Sequence, residues 1–170
     1  MSHNRNLTIK STRTGRGVIA MKPFSPKEIC FEVTGKRVTL EEEWLTKKMR
    51  DNTFRYNKTY YLSPKGTIGD FLNHSCEPNS LVKKVGSRLF VVALDPIDTG
   101  QEVSIDYSTI LADDDVWEMA CQCGKSTCRG TIGQFKSLPK TLKTKYRRLG
   151  AVPSYIDPRR PRKLFRISKT

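Results

Sequence analysis

Residues 71–80 read FLNHSCEPNS. From Asn73 to Asn79 an amide, an imidazole, a hydroxyl, a thiol, a carboxylate, a proline and a second amide follow one another. So many different polar groups in one short segment call for several partners at once, because a polar group taken out of water needs a hydrogen bond or a ligand to compensate it.

A second unusual cluster lies further along. Cys121, Cys123 and Cys128 form C-x-C-x4-C, with Gly124 placed to allow the tight turn that lets three thiols converge on one ion. A structural zinc site takes four ligands in a tetrahedron. Spacing alone leaves the fourth open among Cys30, Cys76, His74 and His3. The five cysteines are an odd number, and MSHNRNLTIK at the start has no apolar run of a signal peptide, so a disulfide framework is not expected. A closed four-sulfur site has no open position, which makes the expected metal structural.

The 170 residues suit one domain with an appended tail, large enough to bury a core without disulfide help. No stretch approaches a membrane span, and an intracellular monomer is expected: nuclear in a eukaryote, cytoplasmic or an exported effector in a bacterium. The formal charge of +14 is uneven. Residues 136–170 hold 12 Lys and Arg against Asp157 alone, which is +11, and the remainder holds 19 bases against 16 acids, which is +3. That tail is either a solvated arm or an electrostatic arm for nucleic acid or an acidic protein.

Short strands and frequent turns dominate. Residues 7–31 read as extended pieces interrupted by Gly15-Arg16-Gly17, with Val18-Ile19-Ala20 as a buried strand. Thr39 and Glu42 make a capping box before a short helix over 40–49. Residues 81–85 and 88–94 pair around Gly86-Ser87, and 102–107 alternates as a strand. Residues 113–115 precede a helical turn at Val116 and Trp117, and Leu138, Leu142, Tyr146 and Leu149 recur at helical spacing over 140–149. After Pro158 the chain is expected to be mobile. The class is mostly β with short helices, built from several small sheets.

In order along the chain, Gly15-Arg16-Gly17, the NHSCEPN stretch from Asn73 to Asn79, the segment GQEVSIDY ending at Tyr107, and C-x-C-x4-C-R-G resemble the SET-domain family of protein-lysine methyltransferases with its post-SET cysteine segment. The resemblance covers about 13–132. It implies a SET-type β fold with a knot-like crossing over 7–110, a zinc-bound post-SET segment over 111–135, and a basic helix and tail over 136–170.

It also implies the site. Asn73 and His74 line the pocket for S-adenosylmethionine, Arg16 and Gly17 contact its methionine end, and Tyr107 is both cofactor wall and principal catalytic side chain. Cys76 joins Cys121, Cys123 and Cys128 as the fourth zinc ligand. Tyr61 is either a pocket aromatic or core packing. Trp117 either covers the cofactor or lysine channel or anchors the post-SET segment. The reaction implied is methyl transfer to a lysine amine in a protein, such as a histone or another nucleic-acid-associated protein. Three positions depart from the family pattern: Val33 where a tyrosine is usual, Ile105 where Phe or Tyr is usual, and Asp70 where a basic residue is usual. No cysteine-rich pre-SET region is present. The competing readings are an inactive SET-like module docking on nucleic acid or an acidic protein through its tail, and a zinc-finger-like nucleic-acid binder without cofactor.

Overall fold

Glycines and prolines recur so often that no strand among the described residues exceeds six residues, and the sheets stay small. The computed structural model describes residues 5–39, 53–115 and 117–159. The helix expected over 40–49 falls outside them, as do His3, Val116 and 160–170. Strands β1 (Leu7–Thr12) and β2 (Gly15–Ala20) form an antiparallel hairpin, with Leu7 opposite Ala20 and Thr12 opposite Gly15. Gly15-Arg16-Gly17 therefore opens β2 rather than interrupting an extended run. Gly15 leaves the turn at φ 112°, a conformation that costs glycine little.

The main sheet has β3 (Ile29–Val33) and β8 (Ser80–Val85) on either side of β9 (Arg88–Ala93). The β8–β9 turn is the expected one, with Gly86 left-handed at φ 57° and Val85 opposite Arg88. As the central strand β9 is covered on both faces, and Val91, Val92 and Ala93 are fully buried. A second sheet orders β4 (Lys36–Thr39), β6 (Tyr60–Ser63) and β5 (Phe54–Arg55). Two minimal pairs complete the set: β7 (Asn73–His74) with β10 (Ser104–Ile105), and β11 (Met119–Ala120) with β12 (Thr131–Ile132). This is the SET-type arrangement of small sheets.

The alternation of 102–107 survives as a strand only at Ser104–Ile105, and Tyr107–Thr109 turns into a 3-10 helix. Asp106 caps that turn by accepting from the Ser108 N–H, which explains why the strand stops there. The helical turn expected after 113–115 is absent among the described residues. Asp113 and Asp114 sit in a turn, and the Asp114 and Asp115 carboxylates are drawn to Arg55 instead of capping a helix.

Helix α1 (Lys140–Leu149) follows the expected periodicity: Leu138 and Tyr146 are buried, and Leu142 and Leu149 pack against the core from its edge. Gly150 ends it in the left-handed conformation. The chain then turns back onto the body, burying Ala151, Val152 and Ile156 in the same core as β9. No helix of the described residues is long and apolar enough to cross a membrane.

Candidate functional site

A two-residue strand cannot hold itself in place, so β7 and β10 are fixed by side chains. They run parallel, Asn73 opposite Ser104 and His74 opposite Ile105, and the ladder continues as Ser75 N–H donates to Ile105 O at 2.9 Å. The second amide of the NHSCEPN stretch locks this pair. Asn79 Nδ2 donates to Glu102 O at 2.8 Å, and Asn79 Oδ1 accepts from Ser104 N at 3.0 Å. Ser80 Oγ adds a bond to Ser104 O at 2.8 Å. The segment carrying Tyr107 is thereby bound along its length to the segment carrying His74.

Asn73 faces the β2 glycines. Its amide donates to Arg16 O at 3.1 Å and to Glu102 Oε1 at 2.7 Å. The Arg16 guanidinium stacks on the Phe71 ring, 4.4 Å from its centroid. A Cβ on Gly17 would lie 2.2 Å from Glu102 Oε1 and 2.9 Å from Asn73 Nδ2. Glycine is therefore required there by the protein's own packing, before any ligand is considered. Glu102 is a site residue that the motif reading passed over; its position two residues after Gly100 gave no local sign of a partner in β2.

Tyr107 is half-buried, and its hydroxyl donates to Leu72 O at 2.5 Å. Burial pushes the phenol pKa upward, with the Glu102 charge adding to the effect, so it stays protonated. The His74 ring centroid lies 5.3 Å from that of Tyr107, and the Trp117 centroid lies 6.0 Å from it. A cleft of about 410 Å³ opens among Asn73, His74, Tyr107, Met119 and Gln122. Another of about 390 Å³, lined in part by Arg13, Glu77 and Glu102, shares Thr14, His74 and Cys123 with it. Asn73, His74 and Tyr107 line the first cleft; Arg16 and Gly17 line neither, and meet the site only through the Asn73 amide and Glu102. Tyr61 is not in either wall. It is buried, and its hydroxyl is bonded to Asp115 and Arg55.

The thiols gather beside His74. The Cys76 and Cys121 sulfurs are 3.7 Å apart, and donor atoms of His74, Cys76, Cys121 and Cys123 all lie within 4.8 Å of one another. A tetrahedron with metal–sulfur bonds of about 2.3 Å has edges of about 3.8 Å, so the thiol spacing fits zinc. Cys128 also interacts with the thiols of Cys121 and Cys123. Tyr107 N–H donates to His74 Nδ1 at 3.2 Å, which leaves the proton on Nε2, where it points to Cys76 Sγ at 3.4 Å. Among the described residues the donors that converge are those of His74, Cys76, Cys121 and Cys123, with the exposed Cys128 thiol at their edge, 3.9 Å from Cys121 O. Arg129 N–H donates to Cys76 Sγ at 3.4 Å, as a thiolate ligand requires. Cys30 stands outside the cluster, buried in the core with its thiol pushed up to about 12 by burial.

Two ionic knots invisible in the motifs hold this assembly. Asp106, fully buried, accepts from Arg129 Nη2 at 2.7 Å and from the Tyr146 hydroxyl at 2.8 Å. One carboxylate beside Tyr107 thus joins the segment after the last cysteine to helix α1. Arg55, also buried, reaches Asp114 at 3.0 Å and Asp115 at 2.8 Å and fixes the loop that leads to Trp117.

The sequence pattern of the SET domain matches residues 15–108. Similar proteins include a histone-lysine N-methyltransferase, H3 lysine-4 specific, of Eremothecium gossypii, 31% identical over 129 residues. Its counterpart in Saccharomyces cerevisiae is 29% identical over 129 residues. A histone-lysine N-methyltransferase, H3 lysine-36 specific, of Candida albicans is 28% identical over 140 residues. These alignments cover 68%, 68% and 74% of this chain but only 13%, 12% and 16% of the relatives' own lengths. With the matched region running from the β2 glycines past Tyr107, over more than half of the sequence, the chain belongs to the SET-domain family.

Proposed function

We propose that this protein transfers a methyl group from S-adenosylmethionine to the side-chain amine of a lysine in a protein substrate, with histones the first candidates because the relatives are named for histone lysines. The observation that carries the reading is the placement of Tyr107. Its ring contacts those of His74 and Trp117 at the cleft that Asn73 and His74 line, and its hydroxyl proton is committed to Leu72 O.

The residues present fit the cofactor. The cleft volume is within the range of small-molecule sites; Asn73, His74 and Tyr107 line it, and Arg16 and Gly17, next to Asn73, are the remaining candidates from the family resemblance. When bound, S-adenosylmethionine supplies a methyl on a cationic sulfur, which passes to the amine as the thioether leaves. The work of the chain is alignment. Because the Tyr107 proton points to Leu72, the hydroxyl's lone pairs are free to face the cleft and accept from the lysine amine. The raised phenol pKa means that Tyr107 positions rather than deprotonates, and the amine's proton leaves to water. The rings of Tyr107 and Trp117 favour a cationic methylated amine, and Trp117 supplies aromatic surface in a protein whose Val33 and Ile105 are aliphatic and buried. Zinc would be held by Cys76, Cys121, Cys123 and Cys128, since a His74 ring that carries its proton on Nε2 cannot ligate it there, and would order the loop that follows Trp117. In a eukaryotic cell such a protein acts in the nucleus.

The test is incubation with methyl-labelled S-adenosylmethionine, histones and mixed cell proteins, followed by mass spectrometry of labelled lysines. Label on lysine that falls by about 10²-fold in Tyr107→Phe, as loss of one positioned transition-state group does, with cofactor binding retained, supports the enzyme. Tight cofactor binding with no transfer to any protein overturns it in favour of a binding module.

A further inference from the structure

Helix α1 has two faces of opposite character. Tyr146 points inward to Asp106, and Leu142 and Leu149 pack at the edge of the core. The other face exposes Lys140, Thr141, Thr144, Lys145 and Arg148 along a shallow trough of about 730 Å³, with Asp95 on the far rim. Their neighbours are occupied: Arg147 pairs with Asp157, and Lys143 donates to Lys136 O. Lys140, Lys145 and Arg148 form no ion pair among the described residues, so three cations stand against one acid on this face.

The residue types select the partner. Lysine, arginine and threonine hold phosphate oxygens without reading bases. From Lys140 to Arg148 the helix rises about 12 Å, the span of roughly three phosphates at about 3.4 Å per strand step. Among the described residues the exposed large hydrophobics are Met21, Tyr60, Val85 and Met119, none of them on α1. The face therefore lacks the aromatic platforms that single strands stack on and the apolar side chains that enter a membrane surface. Beyond α1 the sequence continues in the same sign, with Arg159, Arg160, Arg162, Lys163, Arg166 and Lys169.

We propose that the outward face of α1 is a sequence-independent docking stripe for the phosphate backbone of double-stranded nucleic acid. It rests on the geometry of α1 and not on methyl transfer. Because the inward face of the same helix reaches the residue before Tyr107, a protein docked by its outward face keeps the Tyr107 cleft open. A basic enzyme repels a basic peptide; held on the polyanion to which that peptide is bound, it does not.

The experiment is fluorescence anisotropy of the full-length chain with a short labelled duplex DNA between about 50 and 200 mM salt. Two triple variants are compared with the wild type: Lys140→Gln, Lys145→Gln, Arg148→Gln on the stripe, and Lys10→Gln, Lys36→Gln, Lys65→Gln on exposed strands and loops elsewhere. The stripe triple is expected to bind roughly tenfold or more weakly and to flatten the slope of log affinity against log salt by about 2.7, while the other triple changes both much less. Equal losses in the two triples mean diffuse charge and overturn the proposal, as does a stripe triple that binds like the wild type. An acidic peptide that binds through the stripe and is not displaced by duplex also overturns it, assigning the face to a protein partner. Methyl transfer to a free peptide is a separate readout, so failure of docking and failure of the catalytic reading are distinguished.

Discussion

Both ends of the Asn79 amide are bonded to the segment that leads to Tyr107, and the Asn73 amide binds both Arg16 O and Glu102. The NHSCEPN stretch is polar because Asn73, Cys76, Glu77 and Asn79 tie distant parts of the chain to this point, while Ser75 braces the stretch itself by accepting from Glu77 N–H. The tolerance for change is correspondingly small. Gly17→Ala places a Cβ against Glu102 and Asn73, an overpacking that costs about 1–3 kcal/mol. It is expected to weaken S-adenosylmethionine binding by calorimetry; unchanged affinity would show that Asn73 is not part of the pocket wall. Tyr146→Phe takes from buried Asp106 one of its two side-chain donors while Arg129 remains. The expected loss is about 1–3 kcal/mol in urea unfolding, and a midpoint equal to the wild type would count against the Tyr146–Asp106 bond.

The elements owe their positions to such bonds rather than to their own length. The segment between β11 and β12 has little core of its own, and metal binding substitutes for burial in such loops. Purified protein is expected to carry one zinc by elemental analysis. Cys128→Ser is expected to lose it and His74→Gln to keep it; the reverse pattern would make His74 the ligand and put the proton on Nδ1. Further on, Asp157 accepts from Arg147 at 2.5 Å and from Arg159 at 3.2 Å, clamping the chain after α1 to the helix. Burial alone raises its pKa, but the hydrogen bonds from Arg147 and Arg159 outweigh burial and hold it below the ordinary value. A lowered folded pKa contributes stability above the unfolded carboxylate pKa of about 3.9 that is lost as pH falls through the folded value. Asp157→Asn is therefore expected to destabilise the protein at pH 7 and to differ much less from the wild type near pH 3, measured by urea unfolding at both.

At the scale of the molecule, the family-matched region shares its core with the chain that follows it. Tyr146, Val152 and Ile156 come from beyond it and are buried in the shared core. Large apolar side chains contribute about 1.5–3 kcal/mol each when fully buried, a sum comparable with the roughly 5–15 kcal/mol of a whole domain. A chain ending at Pro139 keeps residues 15–108 intact, yet it is expected to lose cooperative thermal unfolding; a sharp transition at the wild-type temperature would show that α1 is an accessory.

The sequence by itself was enough for the β2 glycines, the NHSCEPN stretch, Tyr107, the C-x-C-x4-C thiols, the Gly86 turn and the periodicity of α1, because each is local: a fixed spacing or a residue type that only certain backbones accept. The tertiary structure alone decided that Tyr61 serves the Arg55–Asp115 cluster, that Trp117 faces Tyr107, that Glu102 closes on Gly17, and that Asp106 joins Arg129 to Tyr146. Most of those pairings link residues more than twenty positions apart. Neither partner carries a mark of the other until the core folds and leaves a buried charge only a few neighbours to bind.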